Sequence, residues 1–215
     1  MTKTRWIRFV AKPLVFAAAL VPTVWLTWAA LTGDLTANPI QELEHQTGLW
    51  VLRFLIITLA ITPVRRLTGW NDLIKFRRMT GLFAFYYACL HLLCYVVLDQ
   101  FFDVKTMIVD IGKRPYITVG FAAFLLLIPL AATSTAASIR RLGGRRWRRL
   151  HQLIYLTAIG GVIHYWWLVK ADISSPLKYG AIIGGLLAFR VIYRLVKSRS
   201  SWRFSPFAQG LPFSR

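Results

Sequence analysis

Four uncharged apolar runs constrain this chain more than any other feature. Residues 13–33, 79–98, 115–139 and 150–169 contain no Asp, Glu, Lys or Arg. Each is near or above the ~20 residues that cross a hydrocarbon core of ~30 Å at ~1.5 Å of rise per residue. Two weaker segments complete the set: 48–64, interrupted by Arg53, and 177–196, whose far end carries Arg190 and Arg194. Composition agrees, because 56% of the 215 residues are hydrophobic and nine Trp, eight Tyr and fourteen Phe are too many for one water-surrounded core of this size. The expectation is an all-α integral membrane bundle: a single domain over 1–215 with six transmembrane helices near 11–32, 48–66, 79–98, 115–136, 150–169 and 177–196.

The formal net charge of +19 would ordinarily point to nucleic acid, but its placement points to topology. With six spans both termini lie on one side. That side then holds Lys3, Arg5, Arg8 and Lys12, then Arg65, Arg66, Lys75, Arg77 and Arg78, then the cluster from Arg140 to Arg149, then six basic residues from Arg190 onward, or 21 of the 27 Lys and Arg. Seven of the eight acids fall on the other side, leaving Asp72. Both termini are therefore expected in the cytoplasm, with lipid rather than nucleic acid as the partner of the basic surface. The first apolar run is too long for the h-region of a cleavable signal peptide and should remain as the first helix. The tail from Lys197 to Arg215 interleaves basic residues with Trp202, Phe204, Phe207 and Phe213, a pattern suited to the anionic inner leaflet. The stretches 34–47 and 99–114 are expected to form at most a turn of interfacial helix each. Cys89 and Cys94, five apart, match no metal or redox motif and read as packing residues.

Polar groups inside a span are costly, so they are functional candidates. His91 lies on the third segment, His151 and His164 on the fifth. Counted from the basic side, His91 stands ~18 Å up and His164 ~21 Å up, so two imidazoles on different helices share one level. A b-type haem needs such a pair, since its iron takes one axial nitrogen from each face, and a filled coordination sphere favours electron transfer over oxygen binding. His151 lies ~20 Å below His164 and about 140° around the helix from it, so it serves a second haem, contacts a haem, or stays structural. At its level Met79 is the one usable ligand type on the third segment. His45, in Glu-His-Gln outside the membrane, reads as solvated or partner-facing. Arg53, ~8 Å into its span, either snorkels or meets a haem propionate. Arg77, Arg78, Arg148 and Arg149 could bind a flavin phosphate, and Arg77 and Arg78 an inner haem, although topology explains them as well.

Several stretches together resemble the MsrQ or YedZ family, the haem-binding membrane subunits of the bacterial periplasmic methionine-sulfoxide reductase system. They are Asn38-Pro-Ile-Gln-Glu with His45-Gln-Thr-Gly, Thr62-Pro-Val-Arg-Arg, Arg77-Arg-Met-Thr-Gly-Leu-Phe, Arg114-Pro-Tyr-Ile-Thr-Val-Gly, Leu130-Ala-Ala-Thr-Ser-Thr, and Arg148-Arg-Leu-His through His164-Tyr. That family is similar to the ferric reductase and NADPH oxidase transmembrane domain, in which two helices carry two histidines each. Here His151 and His164 match one pair. On the other helix only His91 matches, and fourteen residues before it stands Arg77. The resemblance implies a bacterial inner-membrane protein with haem b, one or two, and an associated FMN. It implies electron flow from the quinone pool or a cytosolic flavin reductase to a periplasmic molybdopterin-containing enzyme that repairs methionine sulfoxide in proteins. Two other readings stand beside it: a cytochrome b anchor of a different periplasmic oxidoreductase, and a proton-coupled transporter, against which counts the lack of Asp or Glu in any predicted span.

Overall fold

Helices make up most of the described chain, and no strand occurs among the described residues. The computed structural model describes residues 2–169 and 171–203, with 198–203 by backbone alone. Five helical stretches are long and apolar enough to cross a membrane: α1 (Lys3–Thr32), α2 (Pro39–Thr68), Asn71–Asp99, α5 (Pro115–Ala132) and Ser174–Lys197. Within the third, α3 (Arg77–Leu93) is preceded by a 3-10 turn, Asn71–Phe76, and runs on as a π segment, Cys94–Asp99. Shorter helices are α4 (Val104–Lys113), α6 (Ala136–Leu150) and the apolar α7 (Leu153–Leu168), while α8 is Ser174–Arg203. The molecule is thus a multi-pass membrane helical bundle. At 16 residues α7 is ~24 Å long, a little short of the hydrocarbon thickness.

Several boundaries differ from the expected ones, each for a local reason. The first helix begins at Lys3 rather than near 11, because the missing N–H of Pro13 is met by a π segment, Ile7–Ala11, that widens the helix instead of ending it. The polar stretch 39–47 is no loop. Asn38 caps it by accepting from the Gln41 N–H, Pro39 occupies the first turn, and α2 runs on to Gly69, whose φ of 71° closes it. Likewise 104–113 is a full ten-residue helix, with Asp103 accepting from the Thr106 N–H at 3.1 Å. The segment expected over 115–136 stops at Ala132, and Thr135 caps a separate amphipathic helix that carries the arginine cluster. The last helix continues past 196 to Arg203, since nothing before Pro206 breaks it. Residues 204–215 of the expected inner-leaflet tail lie outside the described residues, as do the contacts of Trp202.

Four helices, α2, α3, α5 and α7, form the core, and α8 packs on α2 and α7. Between α2 and α3 lies an aromatic stack: Phe54 sits 5.3 Å from Tyr87 and 5.4 Å from Phe83, with ring planes within 24° of parallel. Lipid is as apolar as these side chains, so dispersion and close approach hold them together rather than escape from water. Close approach is visible on α7, where a Cβ at Gly160 would lie 3.3 Å from the Ala123 Cβ of α5 and one at Gly161 would lie 3.1 Å from Leu52 of α2. The α1 helix is tied in by Tyr87, whose hydroxyl donates to the Ala19 carbonyl at 2.7 Å beside the kinking residue Pro22. The bundle thus has a basic end, with α6, the start of α1 and the end of α8, and an acidic end, with α4 and the turns around Asp34, Asp99 and Asp172.

Pro63 lies within α2, so the Leu59 carbonyl four residues earlier lacks its helical donor. The Arg190 guanidinium of α8 donates Nη2 to that carbonyl. A kink made by the sequence of one helix is therefore satisfied by a charged side chain from another.

Candidate functional site

His91 projects from the last turn of α3 and His164 from the turn before the end of α7, and the structure brings their rings together at the acidic end. Their centroids are 6.1 Å apart with planes at 76°. Each ring is fixed by its Nδ1: that of His91 donates to the Glu44 carbonyl at 2.9 Å, and that of His164 to the Tyr116 carbonyl at 2.6 Å. A carbonyl only accepts, so Nδ1 must carry the proton in both rings, and in the neutral imidazole Nε2 keeps its lone pair. This is the second-shell arrangement that orients a metal-binding histidine.

Two glycines make room for the rings. A Cβ at Gly48 of α2 would lie 3.2 Å from His91 Cε1, and one at Gly120 of α5 would lie 2.6 Å from His164 Nδ1. Both imidazoles remain half-buried, so protein covers only part of the pair. Among the described residues no three His, Cys, Asp or Glu side chains converge as a metal site. A bare ion would find two protein ligands here, whereas an iron already held by four porphyrin nitrogens needs two. His91 and His164, with centroids 6.1 Å apart, are the two donors that this chain would offer to such an iron.

The other predicted residues lie apart from this pair. His151 caps the end of α6, thirteen residues and ~20 Å along the chain direction from His164. Its ring stacks on Trp147 at 3.9 Å, and its Nε2 lies 3.0 Å from Thr133 Oγ1, which itself donates to the Pro129 carbonyl. The His151 Nε2 is therefore the donor. Burial holds this imidazole below its ordinary titration range, and the charge of Arg77 acts in the same sense. Arg53 donates Nε to the Tyr179 hydroxyl at 3.2 Å and lies over the Trp50 ring at 4.5 Å. Arg78 and Met79 line a cavity of about 430 Å³ between α1 and α3 with Lys12, Phe16 and Tyr86. His45 is exposed, 5.7 Å from the Tyr165 ring, and Cys89 and Cys94 are free thiols, half-buried.

Sequence reasoning missed Gly48, Gly120, Tyr179 and the two carbonyls that hold the rings. Small residues at 48 and 120 were visible, but nothing local marks a glycine as facing an imidazole on another helix. It also undervalued Arg190, which was visible only as one of several basic residues near a helix end.

Residues 47–162 match the ferric reductase-like transmembrane component family. Curated relatives are heme-binding subunits MsrQ of protein-methionine-sulfoxide reductase. The one from Herminiimonas arsenicoxydans is 53% identical over 85% of this chain and 84% of its own length. That from Rhodospirillum rubrum is 53% identical over 86% and 89%, and that from Xanthomonas oryzae pv. oryzae is 50% identical over 99% and 100%. No solved structure matches. At half identity across nearly the whole length, the chain belongs to the MsrQ family of ferric reductase-like transmembrane proteins.

Proposed function

We propose that this chain is a haem b electron-transfer subunit of the bacterial inner membrane, with six spans and both termini in the cytoplasm. In this reading it takes electrons from the quinone pool or a cytosolic flavin reductase and passes them to a periplasmic molybdopterin-containing methionine-sulfoxide reductase. The observation that carries it is the facing pair: His91 and His164, on different core helices, each with Nδ1–H bound to a backbone carbonyl and Nε2 left to bind iron. A bound haem supplies a reversible one-electron carrier. The Glu44 and Tyr116 carbonyls hold the two imidazoles in one tautomer, and through Nε2 His91 and His164 would hold the haem for electron transfer rather than oxygen binding. The pair lies at the acidic end, which positive-inside topology puts toward the periplasm, the side on which an exit to a periplasmic acceptor is needed.

Arg53 is the candidate propionate partner, held by Tyr179 and Trp50 on the same half of the bundle. Arg77 and Arg78 remain candidates for an inner haem or the phosphate of FMN, the latter on family resemblance. His151 stays outside the axial pair: its Nε2–H is engaged by Thr133, and iron binding there would require that bond to break or the other nitrogen to serve.

Oxidised and dithionite-reduced absorption spectra of the detergent-purified chain test the reading. The expected result is a b-type Soret and α band that is lost in His91→Ala and His164→Ala and kept in His151→Ala. A chain without haem bands, made with adequate haem supply, would sink the proposal and favour a transporter.

A further inference from the structure

A second site is marked at the basic end by a buried cation that has no counter-ion among the described residues. Arg190 is 6% exposed. Its Nη2 is spent on the Leu59 carbonyl, its carbon lies 5.3 Å from the centre of the Tyr155 ring, and its Nη1 is buried with no hydrogen-bond partner. Leu59 lies nine residues inside the end of α2 at Thr68, ~14 Å along the helix. The charged neighbours of Arg190 make matters worse, since Arg77, Arg66 and Arg194 all act on it with like charge. The one acid at this end, Asp72, is already held by Lys3 at 2.8 Å and Lys75 at 2.7 Å. A buried charge persists only when it is paired and its donors are satisfied, and among the described residues Arg190 has no counter-ion and Nη1 no acceptor.

We propose that Arg190, with Arg77, binds an anionic oxygen group, phosphate or carboxylate, between α2, α3, α7 and α8 at the basic end of the bundle. The Nη1 donor and the Arg77 charge recognise the anion, and Tyr155 forms an aromatic wall beside the guanidinium. Three sources carry such a group in a membrane redox protein: a flavin phosphate, the propionate of a second haem, and the phosphate of an anionic lipid. The site does not depend on ligation at His91 and His164, so the two proposals can fail separately.

The test uses the full-length chain in phosphatidylcholine nanodiscs. It is titrated with flavin mononucleotide, with riboflavin, which lacks the phosphate, and with added phosphatidylglycerol, while haem per chain is counted. The expected result is that one of these anions binds the wild-type chain and that Arg190→Gln weakens it tenfold or more with the His91/His164 haem band intact. Preference for flavin mononucleotide over riboflavin identifies the flavin, dependence on phosphatidylglycerol identifies the lipid, and loss of a second haem equivalent identifies the propionate. If Arg190→Gln does not fold, Arg77→Gln carries the test, with a severalfold loss expected. No binding of any of the three anions, or binding unchanged in the variants that fold, overturns the proposal.

Discussion

At the scale of single residues, the candidate site is controlled by space as much as by ligands. Gly120 and Gly48 both face an imidazole, but not equally. A methyl at 120 would stand 2.6 Å from His164 Nδ1 and 3.0 Å from its Cγ, next to the root of the ring, whereas one at 48 would stand 3.2 Å from His91 Cε1. The first cannot be relieved without displacing the ring from the Tyr116 carbonyl, while the second needs a shift of a few tenths of an ångström. Gly120→Ala should therefore purify with less than a tenth of the wild-type haem, and Gly48→Ala should keep most of it with a changed midpoint potential, both read by pyridine haemochrome and redox titration. His151 makes a different prediction. Its folded titration point is lowered, first by burial and second by Arg77, so between that point and the ordinary value of about 6.5 the unfolded chain binds more protons than the folded one. Stability is then complete above about pH 6.5 and falls as pH drops through that window. Melting temperatures from pH 7.5 to 5 should decline less in His151→Gln than in the wild-type chain.

At the scale of elements, a proline inside a helix leaves a carbonyl that another helix can meet. Arg190 of α8 does this at Pro63 in α2, while Tyr87 of α3 donates to the Ala19 carbonyl one residue beyond the one that Pro22 leaves open in α1. Leaving a buried carbonyl unsatisfied costs about 1–3 kcal/mol. Pro63→Ala would return a backbone N–H to Leu59 and make the Arg190 bond redundant. The cost of Arg190→Met should accordingly shrink by about 1 kcal/mol or more in the Pro63→Ala background, measured as a double-mutant cycle of unfolding in mild detergent. Equal costs in both backgrounds would show that Arg190 acts elsewhere. The helix ends tell a similar story. Asn38, Asp103 and Thr135 each accept from a backbone N–H three residues on, and each opens a helix in a stretch whose polarity alone suggests a loop.

At the scale of the whole molecule, the asymmetry of charge is the organising property. The arginines of α6 sit at the same end as Arg65, Arg66, Arg77 and Arg78, and the acids other than Asp72 collect at the end where His91 and His164 meet. A C-terminal fusion to a fluorescent protein that folds only in the cytoplasm should therefore be bright, and a C-terminal alkaline phosphatase fusion inactive. The reverse result would place the histidine pair on the wrong side for a periplasmic acceptor.

Much of this was legible along the chain. Apolar runs free of charge can satisfy their backbone only as helices in lipid, and alternating basic loops orient them, so the bundle and its polarity follow from local composition. Equal depth of His91 and His164 follows from the fixed rise per residue. Azimuth does not, because which face of α3 meets which face of α7 depends on packing around Phe54, Tyr87, Gly160 and Gly161, residues far apart in the chain. For the same reason the carbonyls of Glu44 and Tyr116, the space at Gly120 and the uncompensated charge of Arg190 became visible only in three dimensions, since each is a relation between helices rather than a property of one.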